Sequence, residues 1–418
     1  MVATSRTPNR AEKLGRNTQR GVRYAGFPPT LPTMTRTVLS SWLLAAKPRT
    51  KSSRLGRTGA WFLLCWGSLA GGCSEEDTWV ETRYARITGT YGVCAGLAAY
   101  VDERIELTAE WVQVEPQDRI DIFFGEPYVA QHQEDYEQHI GGVTYRGAGR
   151  TRVFTTAGSL GHELVHAVRY SEDLVLPTLI DEGVAQLYDG GEFNFNGGGI
   201  SYAIPDGATL PRDPHTAYVG ESATFVGWLH EELPRDDFLE LINDPSLHRA
   251  HGAASNWTVI EEATGMSKEV LETRWSSEAR HHYSEVPRCR PERTHQLRSG
   301  DALRIQDHIS CAESSTTFGP YVATDDVVYT AQRWHCFPLD EPTSVRVSAS
   351  GPDGTQLILS SVPGSCISTL PLTEASEAKW VAFGTTDDFL LGDCSWVALI
   401  RSAPDVIGNV ELIIEVLD

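Results

Sequence analysis

The segment Gly161-His-Glu-Leu-Val-His166 constrains this chain more than any other. Two histidines four residues apart share one face when the segment is a helix. There both imidazoles can reach the same ion, a spacing that suits zinc. Glu163 is next to the first histidine and points beside such an ion rather than at it, which is where a general base belongs. Leu160, Leu164 and Val168 give the helix a side to bury. The following segment, Pro177-Thr-Leu-Ile-Asp-Glu-Gly-Val-Ala-Gln-Leu-Tyr188, opens with proline, as helices often do. It carries Glu182 in its first turns. Fifteen residues separate His166 from Glu182, enough for one helix to end, turn through 171–176 and return antiparallel. Glu182 can then complete a His2Glu site with one open position. Gly183 lacks a Cβ and so lets two helices approach closely.

The net charge of −21 joins two unlike parts. Residues 1–72 carry twelve Lys/Arg against one acid, Glu12, a charge of +11. The other 346 residues carry 23 bases and 55 acids, a charge of −32. A body this acidic repels nucleic acid and anionic lipid. The basic stretch ends in an apolar run, Ala60 to Ala70, which is too short to span a bilayer but has the order of a secretory signal. Its end, Leu69-Ala-Gly-Gly-Cys73, resembles a bacterial lipobox, with Leu69 four residues before the cysteine rather than three. The expectation is an exported chain, either a cell-envelope lipoprotein held to the membrane only through a lipid on Cys73 or a secreted protein.

Six cysteines remain beyond Cys73: Cys94, Cys289, Cys311, Cys336, Cys366 and Cys394. An even number in an exported chain favours disulfides, with fifteen connectivities open. Counting by position would pair Cys94 with Cys289 and leave the other four to a C-terminal domain.

The patterning changes near residue 288. Before it, helical periods (93–112, 157–170, 178–189, 215–232, 236–243, 256–277) mix with strands at Ile120–Phe124, Val143–Tyr145 and Thr151–Thr155. A Gly-rich stretch, 190–213, reads as a long loop beside the helices. After 288, short β-type runs such as Val327–Thr330, Ser344–Ser348, Gln356–Leu359, Lys379–Phe383, Trp396–Ile400 and Val410–Val416 alternate with turn residues, the pattern of a β-sandwich. The resulting division is a leader (1–72), a linker (73–89), an α+β domain (90–288) and an all-β sandwich (289–418).

Taken with strands Ile120–Phe124 and Arg152–Thr155 and the segment Leu179-Ile-Asp-Glu-Gly-Val-Ala185, the histidine motif resembles the gluzincin metallopeptidases. The likeness is nearest to the bacterial peptidase MA-like domains and covers roughly 90–280. The resemblance implies a zincin-like fold for the α+β domain and one bound Zn2+ on His162, His166 and Glu182. It implies a peptide or protein substrate whose scissile bond is attacked by a water on the zinc, activated by Glu163. Strand Arg152–Thr155 would be the sheet edge that pairs with the substrate backbone. A second oxyanion donor would come from Tyr218, first among candidates that include Tyr202, His215 and His230. The competing reading is a non-catalytic surface or adhesion lipoprotein that keeps a metallopeptidase fold. The intact Glu163 favours the enzyme.

Overall fold

The computed structural model of the chain describes residues 79–133, 141–147, 149–189, 202–203, 209–217, 219–278, 281–282, 293–298, 300, 302–322, 328–332, 335–361 and 378–417. The leader and Cys73 lie outside these residues. None of the described helices is long and apolar enough to cross a membrane.

The N-terminal part is a mixed α/β region. Its strands are β1 (Val80–Glu81), β2 (Ala85–Gly89), β3 (Ile120–Phe124), β4 (Gly142–Gly147) and β5 (Arg150–Thr155). They form one sheet in the order β1-β2-β3-β5-β4. Strands β2, β3 and β5 are mutually parallel, and β1 and β4 close the two edges antiparallel. Parallel neighbours need a crossover, which helix α1 (Ala95–Val112) supplies between β2 and β3. In β3 the alternation Ile120, Ile122, Phe124 sends three apolar side chains into a core with Leu97, Val101 and Ile105 of α1.

The sheet corrects one expectation. Strand β5, which contains Arg152–Thr155, is internal, and β4 is the edge. The two are a hairpin in register Gly142↔Thr155 to Gly147↔Arg150, and β5 also pairs with β3, so of these two strands only β4 has a side left unpaired among the described residues.

Helices follow: α2 (Glu126–Gln133), α3 (Leu160–Ser171), α4 (Thr178–Tyr188), α5 (Val219–Glu232), α6 (Arg235–Asn243), α7 (Ala253–Thr264) and α8 (Lys268–Glu278). The single helix expected over 256–277 is two. Gly265, at φ 65°, takes the left-handed conformation that ends a helix. A two-stranded pair, β6 (Tyr202–Ala203) with β7 (His281–His282), completes this part.

The C-terminal part is β-rich. Its strands are β8 (Ala302–Ile309), β9 (Thr317–Val322), β10 (Val328–Gln332), β11 (His335–Pro338), β12 (Thr343–Ser350), β13 (Gln356–Ser361), β14 (Lys379–Ala382), β15 (Thr386–Leu391), β16 (Ser395–Ser402) and β17 (Gly408–Val416). One sheet runs β14-β13-β16-β10-β9 with β11 also on β16, and the other runs β15-β12-β17-β8. Their facing side chains share a core that includes Val345, Val347, Leu412 and Ile414 from the smaller sheet and Leu357, Leu359, Trp396 and Ile400 from the larger. The result is a sandwich-like pair of sheets.

The two sheets bury themselves differently, and their sequences show it. Strands β8, β12 and β17 alternate buried and exposed residues, as one-sided strands do. In β16 every residue after Ser395 is buried, which requires cover on both faces. The second cover is the α/β region: Phe318, Tyr321, Tyr329, Ala331, Ile358 and Leu399 belong to its core, not to that of the sandwich. Phe318 meets Tyr100 of α1 and Phe124 of β3 edge-on, at centroid separations of 5.7 and 5.8 Å.

A disulfide, Cys94–Cys311, ties the start of α1 to the segment between β8 and β9. This replaces the pairing of Cys94 with Cys289 reached by counting. That pairing assumed a cysteine would close its own domain, whereas α1 packs on β9 and Cys94 bonds Cys311. Cys336 and Cys394 are also disulfide-bonded.

Candidate metal centre

Helix α3 is buried along its whole length, from Leu160 to Ser171. A helix buried all round is normally apolar, yet this one carries His162, Glu163, His166, Arg169 and Tyr170. Polar groups in such a place need partners. For His162, Glu163, His166 and Tyr170 they come from α4 and from the edge strand β4, and Arg169 donates to the Ile242 carbonyl of α6.

Glu182 of α4 reaches both histidines. Its carboxylate oxygens lie 3.2 Å from His162 Nε2 and 3.7 Å from His166 Nε2. The two Nε2 atoms are 3.1 Å apart. One potential ligand atom from each of the three residues falls within 4.8 Å of the others. Zn–N bonds of about 2.05 Å at a tetrahedral angle would hold two ligand nitrogens about 3.3 Å apart. The separations here match that without rearrangement, and the donor set is one zinc accepts. Two imidazole nitrogens pointing at each other at 3.1 Å also repel through their lone pairs unless a proton or cation lies between them.

The far side of each imidazole is held as well. His166 Nδ1 lies 3.3 Å from Asp181 Oδ2, and that carboxylate accepts a 2.5 Å hydrogen bond from the Tyr170 hydroxyl. His162 Nδ1 lies 2.8 Å from the Gln186 side-chain amide. The Gln186 contact is through its NH2 nitrogen, which donates to His162 Nδ1. His166 Nδ1 instead faces a carboxylate, and an N–H there leaves its Nε2 as a lone pair toward the centre. Glu163 accepts a 2.6 Å hydrogen bond on Oε2 from Thr144 of β4.

The electrostatics follow from burial and proximity. Burial alone would lower both imidazole pKa values. The hydrogen bond and charge of Glu182 leave His162 raised on balance. The Asp181 carboxylate takes His166 up to about 9. Burial would raise Glu182, but the two histidines bring it down to about 2. Burial raises Glu163, and the neighbouring imidazoles and Thr144 only partly oppose it. One carboxylate of the pair is thus a strong anion and the other a better base than usual.

The close approach of α4 and α5 depends on Gly183. A Cβ there would stand 2.3 Å from Val226 Cγ2 and 2.4 Å from the Ser222 carbonyl oxygen.

Two oxyanion candidates are engaged elsewhere. His215 Nε2 lies 3.2 Å from the His251 carbonyl and from the Asn256 amide. His230 sits edge-on to Phe238 at 4.9 Å. Tyr218 and the Tyr202 side chain lie outside the described residues. Sequence reasoning missed Asp181, Gln186 and Thr144. Gln186 is four residues beyond Glu182 on the same helix, a spacing that could have disclosed it. Asp181 is its immediate neighbour.

No family model and no curated protein matches the chain. Among solved structures it is similar to PliG of Aeromonas hydrophila, a periplasmic inhibitor of g-type lysozyme. The identity is 8%, the match covers 30% of this chain and 96% of that one, and the TM-score is 0.19. A likeness this slight carries no argument about fold or function.

Proposed function

We propose that the chain is a zinc-dependent peptide hydrolase of the gluzincin type. His162, His166 and Glu182 hold the ion and Glu163 is the general base. The observation that carries this reading is the convergence of three donor atoms beside a second, buried carboxylate of raised pKa. Zinc, when bound at such a site, polarises a carbonyl and makes water acidic enough to lose a proton near neutral pH. Glu163 takes that proton and passes it to the leaving amine. Its burial suits the task, because a base works best with a pKa near the working pH. An extended peptide can add to the open side of β4 by backbone hydrogen bonds, which sets its scissile bond alongside Glu163. The disulfide Cys94–Cys311 supports an oxidising compartment. It fits the proposal of export with a lipid on Cys73, which mass spectrometry of the cell-derived N-terminus tests.

The deciding experiment combines metal analysis with digestion of a peptide library, using the parent and Glu163→Gln. One zinc per chain in both, with cleavage by the parent alone, is expected. Stoichiometric zinc without cleavage by the parent rejects the hydrolase in favour of a binding protein. A chain that takes up no zinc rejects the site itself.

A further inference from the structure

We propose that Gly142 and Thr144 of the edge strand are positioning residues that set which oxygen of Glu163 is free to accept a proton. This rests on the reading of Glu163 as general base. The two residues are i and i+2 on β4, so they share one face of the strand, and both meet the Glu163 side chain. Thr144 Oγ1 lies 2.6 Å from Glu163 Oε2 and 3.1 Å from the Glu163 main-chain oxygen. A hydroxyl has one proton to give. The shorter contact is in the range of a charge-assisted O–H···O⁻ bond, so the proton goes to Oε2. The carboxylate then has Oε1 as its remaining basic oxygen.

Gly142 forms the other wall. A Cβ at this position would stand 2.6 Å from Glu163 Cγ, 2.8 Å from Oε1 and 2.9 Å from Cδ. The carboxylate therefore lies flat against the strand where only glycine leaves room. Neighbouring bonds hold the strand itself in place. The Gly141 carbonyl accepts from the Thr156 N–H at 3.2 Å and from the Ser159 hydroxyl, both just before α3. The edge strand and the helix bearing Glu163 are thus tied together at the point where an extended peptide would add. The same strand offers backbone groups to the substrate and orients the base.

The two walls predict separable effects. The atoms that an alanine at 142 would strike belong to the Glu163 side chain and not to backbone, so Gly142→Ala displaces the Glu163 carboxylate first. Thr144→Val keeps the shape and removes the donor, and Thr144→Ser restores it. In the full zinc-loaded chain, Gly142→Ala and Thr144→Val are expected to keep the parent's zinc content, melting temperature and KM. Their kcat should fall about tenfold or more, with the roughly 10²–10⁴ that general acid–base catalysis contributes as the ceiling. Thr144→Ser should regain most of it. An unchanged kcat in both variants, or a Thr144→Ser no better than Thr144→Val, overturns the proposal. So does a loss of zinc or of melting temperature that accompanies the loss of rate.

A second readout does not depend on turnover. The carboxylate stretch of Glu163, isolated as the infrared difference between parent and Glu163→Gln, should shift in Thr144→Val and return in Thr144→Ser. An unmoved band overturns the proposal whether or not the protein cleaves peptides. A band that moves in a zinc-loaded chain without peptidase activity supports the cradle and rejects the hydrolase reading.

Discussion

Gly183→Ala tests whether Glu182, the proposed third ligand, depends on the contact between α4 and α5. The new methyl would lie 2.3 Å from Val226 Cγ2 and 2.4 Å from the Ser222 carbonyl oxygen. Ordinary contact between such atoms begins near ~3.5 Å, so one helix must retreat by about 1 Å. Val226 could turn aside, but the Ser222 oxygen is backbone and moves only with α5. Overpacking of this kind costs about 1–3 kcal/mol, and a clash with backbone belongs at the top of that range. Replacing glycine inside a helix returns about 1 kcal/mol of propensity. The net expectation is a loss of about 2 kcal/mol. The displacement also reaches the neighbouring residue, because Glu182 now sits 3.2 and 3.7 Å from the two Nε2 atoms. A movement of that size takes it out of shared ligand range, and zinc affinity should fall by about tenfold or more, as when a ligand's support is removed. Urea unfolding of the metal-free variant reads the first effect, and competition with a chromophoric chelator reads the second. A variant as stable as the parent, or one that binds zinc equally well, would refute the reasoning.

Zinc affinity should rise with pH. In the metal-free protein His166 keeps its proton up to about pH 9, so binding must displace it, and calorimetry in buffers of different ionisation enthalpy should record proton release. In the metal-free protein the same group acts on stability in the opposite sense. His166 is raised above its ordinary 6.5, so its contribution is complete below that pH and fades as pH rises through about 9. Glu182, lowered from 4.5 to about 2, contributes above 4.5 and loses its part as pH falls through 2. Asp181→Asn should weaken zinc about 10- to 100-fold by loosening His166, measured by the same chelator competition. An unchanged affinity would show that Asp181 does not orient the ligand. Replacing Cys94 and Cys311 by serine opens a crosslink across 217 residues. Denaturant unfolding should show a loss of about 2–5 kcal/mol.

The parts of the site that were legible in the sequence are those a helix makes local. His162 and His166 fall on one face by spacing alone, and Glu182 follows because a short turn can only bring the next helix back alongside. Asp181 and Gln186 lie on that same second helix and were still missed, because aspartate and glutamine have many uses and their contacts become specific only when α3 and α4 are docked. Thr144 and Gly142 were beyond reach for another reason. Two strands were visible at Val143–Tyr145 and Thr151–Thr155, but nothing in either states which one becomes the edge. That is decided by β3, which pairs with β5 and leaves β4 outside. The composition break near 288 shows the same limit. It marks a real change from helices to strands, but it does not mark a break in packing, since Phe318, Tyr329 and Leu399 join the core of the α/β region. The clue was in the run Trp396-Val-Ala-Leu-Ile400, with no polar residue to face water, against the alternation of Val410–Val416. A strand with no polar side needs cover on both faces, and one neighbouring sheet can cover only one of them. The second cover has to come from elsewhere in the molecule, and the Cys94–Cys311 bond lies where α1 provides it.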